Sequence, residues 1–220
     1  MMLWNQTIIG LFHKGGPIMW PLLLASVVSL GVVVERVLFI FREKKSRNPK
    51  MIEKILALSK RGETQEAIET GRNSGDFVAR TLVYGLRHCG EPFSNALLSA
   101  ASEELKRFTR GLPILDTIIT LAPLLGLLGT VTGMIHSFGL LGGSELDAPA
   151  VITGGIAEAL IATAFGLGIA IVSLIPFNYL NARLDEARHE LENSCNKLET
   201  FLMIKNANTE SEHANLIAER

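Results

Sequence analysis

At 220 residues, 48% hydrophobic, 20% charged and with a mean hydropathy of +0.30, the chain is too apolar for an ordinary soluble domain. It is also too charged for a wholly embedded bundle, so a mixed protein is implied, part membrane and part cytosol. The net charge of −1 offers no footing for nucleic acid, and it hides a segregation: Lys and Arg crowd residues 42–110 and are absent from residues 111–182.

Residues 1–16, with Trp4, Ile8, Ile9, Leu11 and Phe12, suit an external or interfacial amphipathic segment. The apolar run 17–41 is long enough to span a bilayer and lacks the small-residue cleavage site of a secretory leader, so it reads as transmembrane helix 1. Arg42, Lys44, Lys45, Arg47 and Lys50 follow at once, which by the positive-inside rule puts this end in the cytoplasm and the N-terminus outside.

Residues 42–111 form a cytoplasmic helical insert. Asn48-Pro49 is an N-cap followed by proline at the first helical position, and Ile52, Ile55, Leu56 and Leu58 recur on one face. Two more short helices are expected, one over 64–73 and one over 76–90 with Asp76 as cap. The insert holds no phosphate loop, no metal-ligand spacing and no Ser/His/Asp grouping, so no enzyme, cofactor or metal is expected. Cys89 and Cys195 lie far apart in segments placed in the cytoplasm, which argues against a disulfide.

Glu91-Pro92 is expected to start one long helix whose polar first half passes into apolar sequence near Leu112. Residues 112–141 are transmembrane helix 2, with Pro113 and Pro123 as expected kinks. Residues 142–150 are a periplasmic turn without Lys or Arg, and 151–179 are transmembrane helix 3. Helix continues as a cytoplasmic C-terminal segment over 180–205, where Leu180, Leu184, Ala187, Leu191, Ser194, Leu198 and Phe201 make the seam of a coiled coil or helical bundle. The polar residues 206–220 are expected to be disordered.

Glu158 is the only acidic or basic side chain between residues 148 and 182. A carboxylate in such a setting costs about 2.5–3.5 kcal/mol on insertion scales, which points to function. In the second span Pro123, Gly126, Thr130, Gly133 and Ser137 form one stripe of small or polar side chains. In the third, Gly155, Ala159, Ala162, Gly166, Ala170 and Ser173 do the same. Small residues at this spacing mark close helix packing in lipid. Thr130 and Thr163 stand apart by depth, at about 16 and 18 Å from the outer helix edge, while Glu158 sits about 10 Å in. Glu158 and Thr163 are five residues apart, about 140° around the helix, so they face different neighbours. Three spans leave no room for an enclosed lumen, so a pore requires an oligomer. Its lining would carry almost no fixed charge and no carbonyl filter, so the simplest occupant is a transmembrane helix of another protein that bears its own titratable group.

Ala122-Pro123-Leu124-Leu125-Gly126-Leu127-Leu128-Gly129-Thr130-Val131-Thr132-Gly133 and Gly154-Gly155-Ile156-Ala157-Glu158-Ala159-Leu160-Ile161-Ala162-Thr163 resemble the proton-channel family of ExbB, TolQ and MotA, on the ExbB/TolQ side. The run from Gly15-Gly16-Pro17 to Glu35-Arg36 resembles the first span of that branch. The resemblance implies an all-α membrane protein of the bacterial inner membrane, a homopentamer around a dimer of an ExbD/TolR-like single-span protein with a transmembrane aspartate. It implies that Glu158, Thr130 and Thr163 serve the proton pathway, with Gly126, Gly133, Ser137, Gly155, Ala159, Ala162 and Gly166 packing helices or lining the pore. It also implies force transmission to a TonB- or TolA-like protein. Asp116 and His136 read as interfacial groups near the ends of the second span. Other readings stay open: a non-conducting scaffold, a MotA-like stator subunit, which usually has four spans, and a transporter subunit, which lacks support from any inverted repeat.

Overall fold

The computed structural model describes residues 8–88, 93–139 and 148–218, and the regular structure among them is α-helical throughout. The helices are α1 (Ile8–Lys14), α2 (Met19–Ser46), α3 (Pro49–Arg61), α4 (Thr64–Gly71), α5 (Phe77–Arg87), α6 (Phe93–Thr109), α7 (Leu112–Gly139) and α8 (Ala148–Ala218). Three stretches among the described residues are long and apolar enough to cross a membrane, carried by α2, by α7 and by α8. Trp4, Cys89, Glu91-Pro92 and the turn residues 142–147 lie outside the described residues.

Two expectations are corrected. The helix entering the second span is not continuous: α6 ends at Thr109 and α7 begins at Leu112, with Gly111 between them at a φ of +82°. A left-handed glycine ends a helix where an L side chain would be strained. Pro113 then falls in the first turn of α7, where its missing N–H has no helical partner to lose, so it starts the span and does not kink it. Pro123 does lie inside α7. The second correction is the tail. Helix α8 runs to Ala218, through the residues whose composition suggested disorder. Residues 206–218 contain neither Pro nor Gly and extend an existing helix, so they need no new nucleus.

The chain divides into two compact units. The first comprises the described residues of Met1–Arg36 and Gly111–Leu180 and holds the spans. Arg36 is buried there beside Glu35, to which it is ion-paired, and packs on Gly111, where an added Cβ would stand 3.3 Å from Arg36 Cδ. Ser29 on α2 and Ser173 on α8 share a buried hydrogen bond of 2.6 Å, each hydroxyl thereby satisfied away from water.

The second unit comprises the described residues of Val37–Arg110 and of Asn181–Arg220. Asn48 caps α3 by accepting from the Met51 N–H, with Pro49 next, as the sequence indicates. Asp76 is fully buried at the start of α5, where its carboxylate accepts from the Val78 N–H at 2.9 Å, the Asn48 N–H at 2.8 Å and Arg47 Nη1 at 3.0 Å. Three donors compensate a carboxylate that would be costly to bury alone. The seam on α8 is spent within this chain: Ala187, Leu191 and Leu198 join Ile52, Ile55, Phe77, Leu82 and Leu97 in one apolar core. It is therefore the spine of an intramolecular bundle, not a coiled coil with another chain. Cys195 lies at its edge, and burial, with the nearby Glu199 charge, pushes its thiol up to about 11, which keeps it protonated and unreactive.

Glu43 is the exception to this polar economy. It is 8% exposed, its Oε1 has no hydrogen-bond partner, and Arg80 Nη2 stands 3.7 Å away. Arg80 is committed to Glu104, through Nε at 2.8 Å and Nη2 at 2.7 Å. Burial raises the Glu43 carboxyl above its ordinary value; Arg80 and Arg107 pull it part of the way back, and Glu104 and Asp76 push it further up. The folded unit thus binds the proton more tightly than the unfolded chain. The contribution of Glu43 to stability is therefore fullest below the ordinary carboxylate range and declines as pH rises through the raised value. Glu43→Gln is expected to flatten that decline and to stabilise the protein near neutral pH. Thermal melts between pH 4 and 8 would check it; a variant melting profile that falls as steeply as the native one would refute the role of Glu43.

Candidate functional site

The site is built on the contact of α7 with α8. The buried face of α7 includes Ala122, Gly126, Gly129, Gly133 and Ser137, at steps of three or four, and that of α8 includes Ala159, Ala162, Gly166, Ala170 and Ser173. In lipid, helices approach only as closely as their side chains allow, and here the backbones touch. A Cβ added at Gly126 would lie 2.9 Å from Thr163 Cα and 3.1 Å from the Ala162 carbonyl oxygen. One added at Gly166 would lie 2.5 Å from the Ala122 carbonyl oxygen and 3.1 Å from Gly126 Cα. Gly133 meets Ala159 and the Gly155 carbonyl, and Gly155 packs on Ser137. All seven small residues singled out in the sequence for packing or pore lining therefore serve this seam within one chain. Gly129, facing Ala162, belongs with them and was missed, although it sits at the same spacing.

Because the obstacle at Gly166 is backbone, it cannot rotate aside. Gly166→Ala is expected to push α7 and α8 apart at a cost of about 1–3 kcal/mol. A lowered melting temperature of the detergent-solubilised protein would show it, and a melt equal to the native one would not fit this packing.

The close approach explains Thr163. Its Oγ1 donates to the Gly126 carbonyl oxygen on α7 at 2.9 Å, a cross-helix bond that a bulkier residue at position 126 would prevent. Thr130, by contrast, donates within its own helix, from Oγ1 to the Leu127 carbonyl at 2.7 Å. Thr163 and Thr130 thus donate to consecutive carbonyls of α7, those of Gly126 and Leu127, about 1.5 Å apart along the helix. Both threonines are half-buried. Pro123 lies one turn further back, and its missing N–H leaves the Ile119 carbonyl without its helical donor.

Glu158 is half-buried and points elsewhere, as the 140° offset requires. Its carboxyl rests on Gly16 in the turn between α1 and α2, so close that a Cβ there would lie 2.8 Å from Glu158 Cδ. The structure brings Thr163 to α7 and Glu158 to the α1–α2 turn, on opposite flanks of one seam. Sequence reasoning found Glu158 but not Gly16; the Gly15-Gly16-Pro17 run was a turn signal that named no partner. Asp116 and His136 are exposed on α7, away from the seam. Among the described residues no group of three or more His, Cys, Asp or Glu side chains gathers as a metal site.

Residues 74–193 match the model of the MotA/TolQ/ExbB proton channel family. The putative biopolymer transport protein ExbB-like 1 of Synechocystis sp. is 40% identical over 178 residues, covering 77% of this chain and 68% of that protein. Biopolymer transport protein ExbB of Neisseria meningitidis serogroup A is 31% identical over 190 residues, covering 77% and 85%. The Tol-Pal system protein TolQ of Haemophilus influenzae is 35% identical over 107 residues, covering 49% and 47%.

Proposed function

Because the chain belongs to the MotA/TolQ/ExbB proton channel family, on its ExbB/TolQ branch, and is a multi-pass membrane protein, we propose that it is the proton-channel subunit of an inner-membrane motor. In this reading it makes no covalent change in a substrate and so is not an enzyme. Five copies surround a dimer of an ExbD/TolR-like protein whose single span carries an aspartate, and the N-terminus is periplasmic and the C-terminus cytoplasmic. The orientation is supported by Arg42, Lys44, Lys45 and Arg47 at the inner end of the first span.

One observation carries the reading: Glu158, the only carboxylate in the third span, is held at the surface of an α7–α8 pair that Thr163 ties together. Large apolar residues left exposed on that pair, among them Leu124, Leu128, Val131, Leu160 and Ile171, suit further copies or lipid around it. Each proton crossing releases about 2.3 kcal/mol per 100 mV of membrane potential. Changing the charge on the central helix with each passage biases which arrangement of the ring it prefers, and the movement is passed to a TonB- or TolA-like protein. A MotA-like stator role is the second member of the same class, and the three spans favour the first.

Purification of the full chain from its native membrane tests the assembly. A single-span protein with an aspartate level with Thr130 is expected to copurify, in fewer copies than this chain. Recovery of the chain alone, as a monomer in a mild detergent, would overturn the proposal.

A further inference from the structure

Gly16 stands in the short turn between α1 and α2 with a φ of +72°. The turn is fixed on both sides: the Gly15 N–H donates to the Phe12 carbonyl at 3.3 Å, and the Gly16 carbonyl accepts from the Met19 N–H at 3.2 Å. Pro17, which follows, has its own φ locked. Gly15 is wedged as well, since an added Cβ would stand 2.6 Å from Met19 Sδ and 3.2 Å from Ile161 Cγ2 on α8. The bare Cα of Gly16 meets Glu158: an added Cβ would overlap Oε1 and lie 2.8 Å from Cδ and 3.3 Å from Cγ. The backbone of this turn therefore occupies the volume immediately beside the carboxyl, and no other residue type leaves that volume free.

We infer that Gly16 is a positioning residue for the proton site, its side-chain-free backbone forming the seat against which the Glu158 carboxyl rests. The proton role of Glu158 rests on the function proposed above; the seat itself rests on the geometry. A turn held at both ends gives the carboxyl a fixed place, whereas a free glutamate on a lipid-facing helix would sample several rotamers. In this way the turn before the first span controls where the third span presents its acid.

Two demands meet at Gly16, the left-handed backbone and the absent Cβ, and two variants separate them. Gly16→Ala violates both, whereas Gly16→Asn keeps a residue that tolerates the backbone and violates only the second. With the full chain in its native membrane, both variants are expected to lose most proton uptake. Glu158→Asp, which shortens the side chain by one methylene, is expected to restore part of it in either background. Glu158, once unseated, should also react several-fold faster with a hydrophobic carbodiimide, read by mass spectrometry of its peptide. If a Gly16 variant does not assemble, Gly16→Asn combined with Glu158→Ala should assemble as Glu158→Ala does, because the clash is gone and asparagine tolerates the backbone. Native uptake and native labelling in Gly16→Asn would overturn the seat, as would a combined variant that still fails to assemble. Native uptake in Glu158→Gln would instead remove the proton role of Glu158 and leave the labelling to decide the seat.

Discussion

Glu158→Gln abolishes proton-driven work while the complex still assembles: this is the expected result of replacing the only carboxylate of the third span by its uncharged isostere. Glutamine fills the same volume on Gly16 and keeps hydrogen-bonding capacity, so the α1–α2 turn and the α7–α8 seam keep their contacts. What it cannot do is take up and release a proton. Removing an ionisable group from the membrane also relieves the insertion cost of its charged form, so no loss of stability offsets the reading. Proton uptake by native membrane vesicles should fall to the level of vesicles lacking the protein, with the amount of assembled protein unchanged. A scaffold that conducts nothing predicts native behaviour from the same variant, so activity retained in Glu158→Gln would decide for the scaffold.

The paired variant Thr130→Ala with Thr163→Ala is expected to be as inactive as Glu158→Gln and nearly as stable as the native protein. The structure supplies the reason for the second half. Thr130 donates to its own helix and Thr163 to Gly126, so neither hydroxyl is a packing element that alanine would leave as a large void. Hydrogen bonds between membrane helices average about 0.6 kcal/mol, and losing one cross-helix bond should barely move a melting curve. Loss of proton uptake with an unchanged melt would assign the hydroxyls to the pathway. Full uptake in the double variant would return both threonines to the backbone-satisfying role their bonds already describe.

Elements whose signal is local were legible in the sequence. The Asn48-Pro49 start of α3 and the Asp76 cap of α5 depend on a side chain reaching two or three residues ahead, so pattern and structure agree. The α8 seam was legible as a seam, but period alone does not say what covers it. The core with α3 and α5 does. The break at Gly111 was not read, because a glycine between a polar and an apolar helical stretch is tolerated in a helix and differs only in the φ it adopts. The tail was misread for the opposite reason: composition reports the lack of a core, not whether an existing helix can lengthen.

The sequence by itself determined three spans, the basic end of the first, the lone Glu158 and the small-residue faces of α7 and α8, since hydropathy, charge and helical period are properties of neighbours along the chain. The tertiary structure alone decided what those faces touch. It set Thr163 against the Gly126 carbonyl of α7, and Glu158 against a glycine more than a hundred residues earlier. Such pairings depend on how far two backbones can approach once their side chains are gone, a distance that exists only after the helices have packed.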